Sequence, residues 1–498
     1  MNVNPITRLD YPDPDVIRVE DTYYMVSTTM HFMPGCEILQ SFDLVHWEHV
    51  TYVYETLDHT DAQQLKSGHN IYGQGMWAAS LRYHEGRFYI CFVANDTRKT
   101  YLYTSEKIDG PWKKQLIEGF YHDGSLLFDE DGRNYIVYGN DEIWITELNE
   151  DLTAPKKDGL HRLLVSDHKN PELGYEGSHI QKINGYYYIF LIHSLRDRWM
   201  RTEACFYSDS LEGEFTGGDV LCDDRGYCGQ GVAQGGIVDT PDGKWYAMLF
   251  QDSGAVGRLP ILLPVTWKDH FPVFGQNGHV PEEIEVHSTR PGYIYQPLVG
   301  SDDFCNGLLP RWQFNHDPDP RYYHLDALQG TYTITTREVC TELTQAVNTL
   351  TQRMSYPSCA AEVTVDASAL KEGDVAGLCA FQGCYAAVGI TKHHGKYEVL
   401  MLDKKEDGIL DMTEGTVVES HQMDFRLEAD FCNMKDEARC YYRVNKGDWL
   451  PIGTVHKLYF KLDHFTGCRF GLFCYAAEET GGSACFRDFK YYDVDEIS

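Results

Sequence analysis

The feature that most constrains this sequence is an internal repeat in its first 300 residues. An apolar strand, a tight polar turn that usually carries Gly, and an aromatic-rich strand recur five times, as DVIRVEDTYYMV, SLRYHEGRFYICF, SLLFDEDGRNYIVY, SHIQKINGYYYIFL and GIVDTPDGKWYAMLF. When each copy is anchored on the Tyr of its second strand, the intervals between anchors are 65, 46, 53 and 58 residues. Each interval has room for four antiparallel strands. The pattern therefore predicts a five-bladed β-propeller.

A change of pattern near residue 300 indicates a second domain. The chain has 498 residues, which is more than one hydrophobic core usually organises. From Ser301 a new set of short alternating strands runs almost to the C-terminus, and the Pro291–Gly292 dipeptide near the boundary is typical of a linker. Short strands without helical periodicity favour a two-sheet sandwich. We predict an all-β protein with a propeller over residues 1–295 and a β-sandwich over residues 300–498.

The composition excludes several kinds of partner. The chain has 43 Lys and Arg against 75 Asp and Glu, and the net charge of −32 would repel nucleic acid and anionic lipid. No apolar segment approaches the ~18–20 residues of a membrane span, and the first residues do not resemble a secretory signal. The 15 scattered cysteines, with no C-x-x-C pair, are typical of reduced thiols. We expect a cytoplasmic protein with no nucleic-acid or membrane partner, and the sequence leaves a homo-oligomer open.

The repeat also places five residues in one register. Counting back 11 or 12 residues from each anchor tyrosine reaches the point where the chain comes nearest the central axis. The residues at these points are Asp13, Trp77, Asp123, Glu176 and Gln234. Because the blades are related by rotation, these positions should form a ring at one end of the channel. Carboxyls brought this close raise one another's pKa and destabilise the fold, which usually marks a functional site.

Converging carboxyls suit the hydrolysis of an acetal. One carboxyl must protonate the leaving oxygen and another must act on the opposite side of the anomeric carbon, while a third can raise the pKa of the acid. The flat face of Trp77 could stack on a sugar. Taken singly, Asp13 and Asp123 could be turn formers, Glu176 a solvated loop end and Trp77 a packing residue. Their shared register favours the functional interpretation.

These segments resemble glycoside hydrolase family 43. The resemblance is carried by NPITRLDYPDPDVIRVEDTYYMVSTTMHFMPGCEILQSFDLVHW, HDGSLLFDEDGRNYIVY, GYEGSHIQKINGYYYIF and GQGVAQGGIVDTPDGKWYAMLF, and it covers residues 1–295. That family groups β-xylosidases, α-L-arabinofuranosidases and endo-arabinanases on a five-bladed propeller. The resemblance implies Asp13 as the general base that activates water, Asp123 as the residue that tunes and positions the acid, and Glu176 as the general acid. It also implies inversion at the anomeric carbon, which needs the Asp13 and Glu176 carboxyls roughly 6.5–9.5 Å apart.

The resemblance extends to the substrate contacts. It implies Arg258, in GAVGRLPI, as a ligand of sugar hydroxyls, for which the guanidinium fork of donors is well suited. Trp77, Phe32 and Gln234 are the other substrate-binding candidates.

The resemblance to the family leaves a metal ion in the central channel in doubt. Many relatives carry a His, often tied to a cation, where this chain has Gln234, and a Gln carbonyl ligates calcium only weakly. We therefore require no cofactor, assign no metal ligand, and regard calcium binding as doubtful. The nearby histidines are expected to be hydrogen-bonding partners: His31, His122 and His179.

The C-terminal domain resembles the jelly-roll, lectin-like domain that accompanies many exo-acting members of the family. There it closes one side of the active-site pit, whereas a purely structural or oligomer-forming role is the alternative. The resemblance implies release of terminal β-D-xylose or α-L-arabinofuranose from xylo-oligosaccharides or arabinoxylan fragments. The rival hypothesis is a non-catalytic carbohydrate-binding propeller, which would have no need for three acids in one pit.

Overall fold

A computed structural model describes residues 3–413 and 415–493. These residues form 36 strands and four short 3₁₀ helices. The helices are Lys66–Gly68, Gly254–Val256, Leu343–Gln345 and Cys432–Met434. In this part of the chain no helix has the length and apolar character needed to cross a membrane.

Five four-stranded antiparallel sheets form the blades of a propeller, which confirms the predicted fold. Blade 1 contains β1 (Asp15–Val19), β2 (Thr22–Val26), β4 (Gly35–Ser41) and β5 (Glu48–Tyr54). Blade 2 contains β6 (Met76–His84), β7 (Arg87–Ala94), β8 (Lys99–Ser105) and β9 (Lys113–Ile117). Blade 3 contains β10 (Ser125–Phe128), β11 (Asn134–Asn140), β12 (Glu142–Leu148) and β13 (His161–Ser166). Blade 4 contains β14 (Glu176–Ile183), β15 (Tyr186–Ser194), β16 (Arg201–Ser208) and β17 (Thr216–Leu221). Blade 5 contains β18 (Val232–Asp239), β19 (Trp245–Asp252), β20 (Arg258–Lys268) and β21 (Phe271–Phe274).

The C-terminal region is a sandwich of two antiparallel sheets, as predicted. The larger sheet has, in spatial order, β3 (Phe32–Met33), β22 (Gln313–Asn315), β25 (Leu350–Arg353), β35 (Arg469–Tyr475), β27 (Val375–Phe381), β28 (Ala386–His393), β29 (Lys396–Lys404) and β30 (Leu410–Met412), with β31 (Thr416–Val418) also on β29. The smaller sheet has β23 (Tyr323–Asp326), β24 (Thr331–Thr335), β36 (Ser483–Asp493), β26 (Ser358–Asp366), β32 (Gln422–Asp430), β33 (Glu437–Arg443) and β34 (Leu450–Lys457).

Apolar side chains fill the space between neighbouring blades and between the two sandwich sheets. Between blades 1 and 2, for example, Ile38, Leu81 and Phe92 are fully buried in one cluster. Phe425 and Leu472 lie in the sandwich core. Alternating side chains of each strand point to opposite faces, so a blade whose two faces both meet another blade needs apolar residues on both. The aromatic-rich second strands of the repeat meet that requirement.

One short strand joins the two domains. β3 leaves blade 1 and pairs with β22, with Phe32 opposite Asn315 and Met33 opposite Phe314. A buried ion pair between Arg353 of the sandwich and Glu37 of blade 1 lies at 2.8 Å. The division into residues 1–295 and 300–498 stays a prediction, but β3 shows that a propeller segment contributes a strand to the sandwich sheet.

The innermost strands deviate from regular pairing where they begin. β-Bulges interrupt the register between Glu176 and His179 and between Ala233 and Gly236. Asp13 and Asp123 have φ values of 53° and 48°, in the left-handed region that non-glycine residues rarely adopt. Such strained positions and bulges redirect side chains next to active sites. They occur at the ring positions that the repeat predicts.

Candidate active site

A cavity of about 920 Å³ opens over the starts of the innermost strands. This volume is near the upper end of the range for small-molecule sites, about 300–1,000 Å³, and leaves room for more than one monosaccharide. The propeller contributes mostly polar and aromatic lining residues, and the sandwich contributes mostly apolar ones. They include Trp77, His122, Asn140, Glu176, Arg201, Asp252, Arg258, Met434, Phe460 and Phe465.

Asp13 is not itself a lining residue, but it is hydrogen-bonded to Arg258, which lines the cavity, and it is held in one orientation. Its side chain accepts a hydrogen bond of 2.7 Å from Arg258 Nη1 and one of 2.5 Å from Thr28 Oγ1. The residue is only 5% exposed. Each carboxylate oxygen therefore has a donor of its own, which fixes the orientation of the carboxyl.

Glu176 and Asp123 lie side by side, with His122 between them. His122 Nε2 is 3.5 Å from both Glu176 Oε2 and Asp123 Oδ2. Glu176 Oε2 accepts a 2.6 Å hydrogen bond from Asn140 Nδ2, and Asp123 Oδ2 accepts one of 2.9 Å from the backbone N–H of Gly177. Nitrogen and oxygen atoms of the three titratable side chains fall within 4.8 Å of one another. The cluster can therefore share protons.

Burial and mutual charge set the protonation of this cluster. Burial, together with the charges of Glu176 and Asp13, raises the pKa of Asp123 to about 6, although His122 opposes the shift. Burial disfavours a charged His122, but the surrounding carboxylates raise its pKa to about 9. Burial would also raise the pKa of Glu176, but the hydrogen bond and charge of His122, with Arg201 and Arg258, lower it.

This order of pKa values differs from the sequence-based expectation. That expectation placed the raised pKa on Glu176, whereas the structure raises the pKa of Asp123 instead. The physical reason is that Arg201 and Arg258 add to the effect of His122 at Glu176, whereas the charges of two carboxylates add to burial at Asp123. Strongly interacting groups titrate as a unit, so the cluster still holds protons within reach of Glu176 near neutral pH.

Two arginines and an aspartate line the floor on the Asp13 side. Arg201 Nε donates to Asp252 Oδ2 at 2.6 Å, and Arg258 Nε lies 3.4 Å from Asp252 Oδ1. Sequence reasoning missed Arg201 and Asp252. Arg201 and Arg258 occupy equivalent positions of the repeat, because each is the first residue of the third strand of its blade, blade 4 and blade 5 respectively. Applying the repeat register to the third strands would therefore have found Arg201.

The structure brings some of the predicted substrate contacts to the cavity and leaves others outside it. Trp77 and Arg258 line the cavity, and the indole Nε1 of Trp77 has no acceptor within the described residues. Phe32 differs: it is 0% exposed and lies 3.4 Å beneath the guanidinium of Arg469 at the domain interface. Because β3 carries Phe32 into the sandwich sheet, its ring cannot reach a sugar in this conformation. We expect it to support the cavity from beneath.

Gln234 is also buried, and it is not a lining residue of the cavity. Its backbone N–H donates to Glu203 Oε2 at 2.7 Å. Its side chain lies against Gly177, where an added Cβ would come within 2.8 Å of the Gln234 amide carbon. Gln234 therefore packs behind Glu176, at the ring position but beneath the cavity surface.

The nearby histidines behave in two ways. His122 and His179 are hydrogen-bonding partners of carboxylates, the latter at 3.1 Å from Asp15. His31 differs from the expectation, because neither of its ring nitrogens has a partner in residues 3–413 and 415–493. It is fully buried among other rings, with Phe32 at 4.3 Å between centroids.

A loop of the sandwich completes the cavity. The ring of Phe465 lies 5.5 Å from that of Trp77 and 4.2 Å from the guanidinium carbon of Arg258. Phe460 lies 5.7 Å from Phe465 and lines the same wall. No pattern in the propeller repeat could have predicted these residues, since they come from another domain. They close the side of the cavity that contains Asp13 and its arginine.

The acid cluster also contains side chains of the kinds that bind metal ions. His122, Asp123 and Glu176 offer one imidazole and two carboxylates. Calcium favours six to eight oxygen ligands, and the imidazolium charge of His122 opposes a cation at this point. The residues present therefore suit calcium poorly.

Two buried acids, the half-buried Glu176 and neighbouring arginines in an aromatic-lined cavity indicate a glycoside hydrolase built on a β-propeller. The sequence matches the family profile described as glycosyl hydrolases family 43 over residues 3–272. It also matches the beta xylosidase C-terminal concanavalin A-like domain over residues 301–492. The chain belongs to glycosyl hydrolase family 43.

Individual relatives span both domains. A beta-xylosidase of Formosa agariphila is 27% identical over 99% of this chain and 89% of its own length. A xylosidase/arabinosidase of Butyrivibrio fibrisolvens is 24% identical over 99% of each chain. A solved structure of a bifunctional GH43-CE protein from Bacteroides eggerthii superposes with a TM-score of 0.92 at 42% identity. This chain covers 64% of that longer protein and is itself covered to 99%.

Proposed function

We propose that this enzyme is an exo-acting, inverting hydrolase that releases single terminal pentoses from xylo-oligosaccharides or arabinoxylan fragments. The observation that carries the proposal is a cavity that Glu176 lines and a sandwich loop closes, with the buried carboxyls of Asp13 and Asp123 next to its lining residues. A closed wall favours a chain end over the middle of a polymer. Two relatives are named beta-xylosidase and xylosidase/arabinosidase, and these names support a pentose as the released sugar.

In this mechanism Asp13 is the general base. Arg258 and Thr28 hold its carboxylate, so the orientation of both oxygens is set before the substrate arrives. The base takes a proton from water as the water attacks the anomeric carbon from the side opposite the leaving group. Inversion follows from this single displacement.

Glu176 is the general acid that protonates the leaving oxygen. Asn140 orients its carboxyl, and the shared protons of Asp123 and His122 lie next to it. When a sugar displaces solvent from the cavity, the low dielectric favours a neutral Glu176, and His122 at 3.5 Å is positioned to supply its proton. After transfer the acid is a carboxylate and Asp13 carries the proton of the attacking water; Asp13 then releases its proton to solvent, and a proton from solvent restores the cluster.

Trp77, Arg258 and Phe465 form the sites for the terminal sugar. The faces of Trp77 and Phe465 provide apolar surfaces for C–H groups, and the guanidinium donates to hydroxyls. A terminal β-D-xylosyl group and a terminal α-L-arabinofuranosyl group present similar hydroxyl positions. We propose β-D-xylose as the preferred sugar and α-L-arabinofuranose as the second, which the name of the Butyrivibrio relative supports.

We also propose that the enzyme acts in the cytoplasm on short imported oligosaccharides. All fifteen cysteines are within the described residues and are free thiols there. Ten of these thiols are buried, one on β36 is half-buried and four are exposed, and exposed thiols stay reduced in a reducing compartment.

Two chromogenic substrates test the activity. The protein should hydrolyse p-nitrophenyl β-D-xylopyranoside, and p-nitrophenyl α-L-arabinofuranoside more slowly. If both stay intact while xylo-oligosaccharides still bind, the protein is a carbohydrate-binding propeller and the proposal is wrong. Rates on xylobiose and on arabinosyl-substituted xylo-oligosaccharides then establish which pentose the enzyme prefers.

A further inference from the structure

The cavity of about 920 Å³ is larger than one pentose requires, and Glu176 is one of its lining residues. The terminal sugar lies between Trp77, Phe465 and Arg258, near the base Asp13. The leaving group must lie toward Glu176, because this residue protonates the leaving oxygen. The groups that line the cavity around Glu176 therefore contact the leaving group.

An arginine on this side has an unusual environment. Arg98 lies in the hairpin between β7 and β8 of blade 2, and its guanidinium carbon is 3.9 Å from the ring centroid of Phe120. Both residues line the cavity. Phe120 precedes His122 by two residues, so the pair belongs to the wall that carries the acid cluster. A guanidinium stacked on a ring is held flat, with its N–H edge free to bind.

The other cations of the cavity are all paired. Arg201 is bonded to Asp252, Arg258 to Asp13, and Lys461 to Glu406. Arg98 forms no ion pair and its guanidinium donates no hydrogen bond within residues 3–413 and 415–493. This is notable in a chain where Asp and Glu outnumber Lys and Arg by 75 to 43. The guanidinium is therefore available to a ligand.

A guanidinium edge matches a carboxylate, because two parallel N–H donors meet two oxygens. Without such a group, a protein of net charge −32 would repel an anionic substrate. Trp199 of blade 4, which is 46% exposed and also lines the cavity, adds an aromatic surface for a sugar ring of the leaving group.

We propose that Arg98, stacked on Phe120, binds the carboxylate of an acidic leaving group, so that the enzyme accepts oligosaccharides in which the terminal pentose is attached to a chain bearing a uronic acid. This inference rests on the proposed function for the reaction but concerns the other side of the scissile bond. It makes Arg98 a specificity-determining residue for the leaving group.

The test compares two xylo-oligosaccharides that differ only in a glucuronic acid on the unit next to the terminal xylose. The measured quantity is the ratio of kcat/KM on the acidic and neutral compounds. Arg98→Gln should lower this ratio about tenfold, the effect of a charge-assisted hydrogen bond, and Arg98→Lys by less. The matched control is Arg87→Gln, which removes one positive charge from an exposed arginine of the same blade outside the cavity. It should leave the ratio unchanged.

A ratio that Arg98→Gln leaves within about twofold of wild type would overturn the proposal, since a charged contact contributes more than that. The tenfold difference should also shrink as salt is raised, because an exposed charge pair is screened. Circular dichroism should show a folded Arg98→Gln variant, because that guanidinium has no hydrogen-bond partner to lose.

Binding separates this proposal from the proposed function. Titration of both oligosaccharides into Glu176→Gln, with and without Arg98→Gln, measures recognition without turnover. Preferential binding of the acidic compound that depends on Arg98 supports the inference even if wild type hydrolyses neither compound, in which case only the proposed function fails. Equal binding of both compounds would reject the inference, even if wild type hydrolyses the neutral one.

Discussion

Two buried carboxylates of the propeller, Asp15 and Asp123, lie near the same axis but have opposite environments. Asp15 accepts hydrogen bonds from Arg82 Nη1 at 2.8 Å and the Leu81 backbone at 2.7 Å, and it also contacts His179. Burial would raise its pKa, but Arg82 and His179 lower it overall. Asp123 has one backbone donor and lies 3.5 Å from His122, but burial and the nearby charges of Glu176 and Asp13 raise its pKa to about 6.

This contrast shows what separates a structural acid from a reactive one in the same fold. The charge of Asp15 is fully compensated, so it holds blades together and takes up a proton only in strong acid. The charge of Asp123 is compensated in part, so it exchanges protons near neutral pH. Burial is left partly uncompensated at Asp123, next to the proposed acid Glu176.

Removing one charge near the cavity, at Asp13, and one from the structural cluster, at Asp15, should give the largest difference in activity. Asp13→Asn should lower kcat about a thousandfold on every substrate, because general-base catalysis contributes about 10²–10⁴. Asp15→Asn, two residues along the same segment, should keep near wild-type kcat per folded molecule. Rates on p-nitrophenyl β-D-xylopyranoside, normalised to the folded fraction, measure both. Similar losses in the two variants would contradict the distinction.

Glu176→Gln tests the acid. It should slow xylobiose about a hundredfold more than p-nitrophenyl β-D-xylopyranoside, because a good leaving group needs little protonation. The ratio of kcat/KM on the two substrates measures this effect. Asn140→Ala, which removes the orienting donor but keeps the carboxyl, is the matched control and should change the ratio less. Equal losses on both substrates would refute the role of Glu176.

Asp15→Asn should have its main effect on stability. Leaving Arg82 buried without its partner should lower the free energy of unfolding by about 3 kcal/mol, in urea denaturation at pH 7. The pKa of Asp15 is lowered in the folded state, so its contribution is complete above the unfolded value of about 3.9 and is lost as pH falls through the folded value. The difference between wild type and variant should therefore shrink in acid. A constant difference would show that the charge of Asp15 is not its source.

The smallest expected effect is a shift of the pH profile, which should distinguish His122 from His179. His122→Asn removes the imidazole that has a pKa of about 9 and supplies the proton of Glu176, so the alkaline limb of the kcat/KM profile should move down by about one pH unit or more. His179→Asn, in the Asp15 cluster, should reduce stability and leave the profile in place. A profile that both variants shift alike would remove His122 from the proton cluster.

The sequence predicted much of this arrangement because a propeller repeats. The register of the first strands located Asp13, Trp77, Asp123 and Glu176 without any contact information, since rotation brings equivalent positions together. Their roles stay predictions, but the structure places them around or directly beneath one cavity.

Three features could not follow from that register. Phe32 is at the domain interface because a two-residue strand pairs outside its blade. Phe465 comes from a loop more than 400 residues along the chain from blade 1, and only tertiary packing brings it to the site. The lowered pKa of Glu176 depends on the distance to His122, which sequence spacing does not give.

The stereochemistry of hydrolysis tests the central claim most directly, since it depends on whether Asp13 activates water or attacks the sugar. Proton NMR of the first product from p-nitrophenyl β-D-xylopyranoside, recorded before mutarotation, distinguishes the two. A general base at Asp13 predicts α-xylose as the first anomer. β-Xylose as the first anomer would contradict the account.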